Sequence, residues 1–156
     1  MQSIYGCLLG SALLMGGCAM VALPMPSSNA PFAVVVDVTQ MMNWIIDPTV
    51  DVIWESVRFI DTEEGSKQIS PKTDEEWDAV RNAAATLAES SNLLMIEGRA
   101  REGKQWMEAA TNMRTAAKEA LSAAQSKNVM GVFDAGGHIY NACSTCHMQF
   151  AKHLQN

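Results

Sequence analysis

The chain has 156 residues, 48% of them apolar and 18% charged, with a formal net charge of −6. That length suits one domain with a real core. The charge argues against a phosphate-binding surface, the apolar content against disorder, and the scarcity of aromatics, at 6%, against a strand-rich fold. Charge is unevenly placed: all 17 acids and all 11 bases lie from Asp37 onward.

In chain order, the uncharged start comes first. Ile4 to Leu23 is an apolar stretch broken by Gly6, Gly10, Gly16 and Gly17 and followed by Pro24 and Pro26. It reads as an export signal, or as an uncleaved anchor. No Lys or Arg precedes Arg58, so the usual positive start of a signal is missing. Met15-Gly16-Gly17-Cys18 resembles a bacterial lipobox, with Met15 where Leu is usual. That resemblance implies cleavage before Cys18 and a lipid on its thiol; the alternative is a plain cleaved signal with Cys18 unused. All of these readings imply export. Residues 1–30 are therefore assigned to a signal and tether, and 31–156 to the folded domain.

From Val34 the pattern is helical nearly everywhere. Val35, Val38, Met42, Ile45 and Ile46 recur at helical spacing, with Met42 central on the apolar face, Met41 about 100° away and Trp44 off it. Asp47-Pro48 starts a second piece that runs to about Ile60. Asp61 to Lys72 reads as a polar loop. Thr73 and Glu76 make a capping box for a helix with Trp77, Val80, Ala84, Leu87, Ser91 and Leu94 inward. Glu97 to Gly103 connects it to a helix with Trp106, Ala110, Met113, Ala117, Leu121 and Ala124 inward. Asn128 caps the last, whose face is Val129, Val132, Gly136, Ile139, Cys143, Cys146, His147 and Phe150. Four amphipathic helices with short links predict an all-α, antiparallel up-down-up-down bundle. Core packing is the ordinary role of most residues on these faces.

Cys143-Ser144-Thr145-Cys146-His147 carries chemistry. C-x-x-C-H is the attachment sequence for c-type haem. At about 100° per residue the two Cys and the His fall within one sector of a helix. Both sulfurs can then form thioethers at a porphyrin edge while the imidazole reaches the iron. A thioredoxin-type pair should follow a strand, which this pattern lacks. A zinc site needs a fourth ligand, and His138 and His153 are both well off the face. A Cys pair at i,i+3 on a helix makes poor disulfide geometry. Gly136-Gly137 either makes room for a flat macrocycle or marks a later helix start.

A four-helix bundle with C-x-x-C-H near the end of its last helix resembles the class II cytochromes, the cytochrome c′ family. The likeness covers residues 34–156 and is specific at Cys143–His147 and Phe150. The family usually has a basic residue directly after that aromatic; here Ala151 stands there, with Lys152 next. The resemblance implies one covalent haem c, and its low-spin members carry Leu-Met in the first helix, where Met41-Met42 looks like that pair. In an antiparallel bundle Met42 and His147 lie at the same end. Met42 is thus the candidate second ligand, Met41 the next, and plain core packing the competing role of Met42. With both ligands the expected function is electron transfer with a redox partner protein. With His147 alone it is the binding of small gases such as NO or CO. The expected location is the periplasm, with membrane attachment if Cys18 is lipidated, and the family often dimerises. No acid/base pair or nucleophile near the motif points to an enzyme, and no nucleic-acid partner is expected. Arg99, Arg101 and Lys104 cluster at the link between the second and third helices, where they read either as a solvated loop or as cations near haem propionates or an acidic partner.

Overall fold

The structure, a computed structural model, describes residues 32–101 and 103–151. Cys7, Cys18, Lys152 and His153 lie outside them. Among the described residues no helix is long and apolar enough to cross a membrane.

The first helical run begins at α1 (Val38–Met41). Asp37 caps it by accepting the Gln40 amide at 2.8 Å, and the Gln40 side chain accepts the Asp37 amide in return. A wider π turn, Met42–Ile46, follows, and α2 (Asp47–Ser56) continues from it. The cause lies in Pro48. Inside an α-helix its ring would press on the carbonyl four residues back, that of Trp44, and it has no N–H to give. The π turn opens the ladder just before it, with the Asp47 amide donating to the Met42 carbonyl five residues away. So the run is one continuous helix carrying a π bulge rather than two separate pieces.

Buried positions show the same extra residue. Met41, Ile46, Val50, Ile53 and Val57 are buried. The first interval is five residues and the others are three or four. This corrects the expected phase of the segment. Met41, fully buried, holds the core position, and Met42 is half-buried beside it. Val35, expected inward, is exposed and precedes the helix, because the Asp37 cap sets the start. Trp44 is 62% exposed.

The second correction concerns residues 57–72. The helix stops at Ser56, where Val57 turns extended, and the polar stretch is an antiparallel hairpin of β1 (Arg58–Thr62) and β2 (Gly65–Ile69). Arg58 pairs with Ile69 and Thr62 with Gly65, leaving Glu63-Glu64 as the turn. Gly65 has φ +130, a conformation that side chains disfavour. The fold is therefore mostly helical with one small two-stranded sheet.

Three long helices complete it: α3 (Asp74–Leu93), α4 (Lys104–Gln125) and α5 (Val129–Phe150). Thr73 and Glu76 form the expected capping box on α3, and Asn128 caps α5 through the Gly131 amide. α3 packs on α4 and α4 on α5, while α2 lies against α3 and, over a shorter stretch, α5. The expected inward faces of α3 and α4 are buried, apart from half-buried Leu121. Ala84, Ala117, Ala120 and Ala124 sit in the middle of the core, where small side chains let helix axes approach.

Candidate functional site

The last two turns of α5 carry Cys143, Cys146 and His147 on one half-buried face. Opposite them stand Met42 from the π turn, Trp54 from α2, and Trp106 and Met113 from α4. Together they line a cavity of about 400 Å³, within the ~300–1,000 Å³ of most ligand pockets. An adjoining cavity of about 190 Å³ shares Met42, Asp47, Trp106, Cys146 and His147 with it and adds Arg101 and Phe150. The structure thus brings Cys143, Cys146, His147 and Met42 to one place. Met41 lines neither cavity. The π turn is what separates the two methionines.

Two indoles form the rigid walls. Trp54 donates through Nε1 to the Gly136 carbonyl at 3.0 Å, tying α2 to α5. A Cβ at Gly136 would sit 3.3 Å from Trp54 Cδ1, so the room made by this glycine is taken by the Trp54 ring. Gly137 faces open space, and both glycines lie inside α5 rather than before it. Trp106 donates through Nε1 to the Leu94 carbonyl at 2.7 Å and meets Phe150 edge-on, ring centroids 5.1 Å apart. Tyr140, 60% exposed, tilts against Trp54 at the rim.

The chemistry of the thiols follows from burial. Removal from water pushes Cys143 up to about 11, with Cys146 and Asp47 nearby adding to the effect. Burial raises Cys146 as well, against the opposing pull of Arg101. Both thiols stay protonated at neutral pH, the reverse of a reactive redox pair, whose thiolate must be stabilised. Nor do they chelate an ion directly: among the described residues no group of three or more His, Cys, Asp or Glu side chains converges on one point. His138, expected off the face, is exposed and pairs with Glu119 at 2.6 Å. The residues of this cavity able to hold a cofactor are thus two neutral thiols side by side, an imidazole and a thioether.

The basic cluster divides. Arg99 is buried, not a solvated loop residue, and donates to the carbonyls of Val36 at 3.0 Å and Leu93 at 3.3 Å. Arg101 turns toward the site, its guanidinium 5.5 Å from the Trp106 ring centroid and 3.5 Å from the Phe150 carbonyl. Lys104 is exposed and starts α4. The wall residues Trp54, Asp47 and Asp51 carried no sequence signal of a site; only the indole partner at Gly136 explains why a glycine stands there.

Comparison with family models, curated proteins and solved structures gives no match to this chain.

Proposed function

We propose that the chain is an exported, single-haem c-type cytochrome of the class II kind, acting in electron transfer with a redox partner protein. In this reading the helices form an up-down-up-down bundle, and Cys143 and Cys146 hold one haem c through thioethers. His147 is the first axial ligand and Met42 the second. The observation that carries it is the convergence of these four residues on one cavity from two distant parts of the chain. The donor set fits the group: thioether formation consumes neutral thiols, and both are held neutral here. When bound, the haem supplies a one-electron ferric–ferrous couple.

The chain's own residues have separate tasks. The α5 backbone fixes the two sulfurs and the imidazole in one register. Trp54 and Trp106, each locked by an N–H bond to a carbonyl, keep the walls rigid and exclude water. The π turn presents the Met42 thioether to the cavity while Met41 fills the core behind it. No residue is assigned to bond-making on a substrate. Export follows from the charge-free start, because haem attachment of this type takes place outside the cytoplasm. A lipid on Cys18 would hold the domain at a membrane surface in the periplasm, and the bundle could pair as a homodimer.

The apolar wall of Ile46, Val50, Leu94 and Met113 favours one second reading, a five-coordinate haem protein that binds small gases. The deciding measurement is the optical spectrum of the full chain, produced in a host that exports it and attaches haem. Electron transfer predicts haem that survives denaturation and a low-spin ferrous spectrum unmoved by carbon monoxide. A high-spin spectrum with ready carbon monoxide binding would select the gas reading. Absence of covalent haem would overturn both.

A further inference from the structure

The cavity is apolar except for charges of opposite sign at its edge. Asp47 lines both parts of it, and Arg101 lines the part beside Cys146 and His147. These side chains come from opposite elements, α2 and the link between α3 and α4. The chain is acidic overall, so a single arginine in this place is a local reversal of its field.

Arg101 is placed, not loose. Arg99, two residues earlier, is buried and bonds carbonyls on both sides, Val36 before α1 and Leu93 at the end of α3. Gly98, with φ +88, makes the tight passage into the link, and a Cβ there would come 2.9 Å from Val34. The link is thereby pinned to the segment that leads into α1. Arg101 extends from it over the Trp106 face, a cation–π arrangement, toward the last turn of α5. Among the described residues it forms no ion pair. Its charge is therefore uncompensated on the side where His147 lies.

We propose that Arg101 and Asp47 set the electron affinity of the site from opposite edges, Arg101 favouring the reduced state and Asp47 the oxidised one. This rests on the haem reading above. The ferric state carries one more positive charge than the ferrous. A cation beside the axial imidazole raises the cost of that charge, and a carboxylate lowers it. No bond forms or breaks at either residue, and the transferred electron comes from the redox partner. Arg99 is a positioning residue, acting through the place it gives Arg101.

The test uses the full chain in its haem-loaded form. Haem retained after denaturation is measured first, then the midpoint potential by spectroscopic titration at low and high salt. Arg101→Gln should lower the potential, Arg101→Lys should restore most of it, and Asp47→Asn should raise it. The Arg101→Gln and Asp47→Asn shifts should shrink as salt rises, because both charges are solvent-screened. An unchanged potential in haem-loaded Arg101→Gln overturns the proposal. So does a shift that salt does not affect, or one that Lys fails to restore. Loss of haem from Arg101→Gln alone would overturn it as well, by making Arg101 a clamp rather than a source of field. Absence of haem from the unaltered chain would instead sink the reading beneath it.

Discussion

The closed middle of the molecule and the open end around Cys143 are built from the same helices by different residues. In the middle, α3 and α4 face each other through Ala84, Ala117, Ala120 and Ala124, all buried, and the space closes. At the open end the facing residues are Met42, Trp54, Trp106, Met113 and His147, and a cavity of about 400 Å³ remains. Large side chains on facing helices hold the axes apart, and indoles cannot collapse into the gap they create. The lesson is that the cavity is specified by bulk at its rim, not by an absence of side chains.

This contrast can be broken most sharply along α5 itself. Ile139 is fully buried, and Cys143 one turn later is half-buried against the cavity. Ile139→Ala should cost about 2–5 kcal/mol in urea unfolding of the haem-free chain. Cys143→Ser in the same chain should cost much less; equal losses would mean that the cavity is closed in solution. Next in size, Ala117→Leu at the closed contact should destabilise by about 1–3 kcal/mol through overpacking. If it is neutral, the small residues do not set the helix spacing.

A finer distinction separates adjacent glycines. Gly137→Ala meets nothing and gains helix propensity, so it should stabilise by about 0.5–1 kcal/mol. Gly136→Ala has the same propensity gain but presses on Trp54 at 3.3 Å, and should stabilise less or destabilise. Equal gains at both sites would show that Trp54 is free to move. The smallest effect concerns the α3 cap, far from the cavity. Amide donors of Lys72 and Thr73 hold Glu76 below its ordinary range. The unfolded chain then binds the proton more tightly than the folded one. The advantage over Glu76→Gln should be full above the carboxylate range and fade as pH falls through it. A pH-independent difference would remove the carboxylate from the cap.

Much of this was legible in the sequence. The faces of α3, α4 and α5 follow a plain helical period, and the Thr73 and Asn128 caps stand where their side chains predict them. C-x-x-C-H and Met42 mark residues that do meet at one cavity. The hairpin was hidden because most of its side chains are exposed, so the alternation that marks a half-buried strand is missing. Its best signal is Gly65 after Glu63-Glu64, which also fits a loop. The phase of Met41 and Met42 was misread because a regular period was carried across Pro48's influence. Arg99 and Trp54 depend on partners distant in sequence, Val36 and Gly136, and no local pattern announces either.

The π turn has a consequence for chain length. It is one residue more than an α-helix needs between Met41 and Asp47. Removing a single residue there, together with Pro48→Ala, would let the ladder close while the segments on either side kept their faces. Length and register are thus uncoupled at this point of the first helix. What such a shortened chain would surrender is not its core but the second methionine, whose only structural warrant for facing the cavity is the spare residue itself.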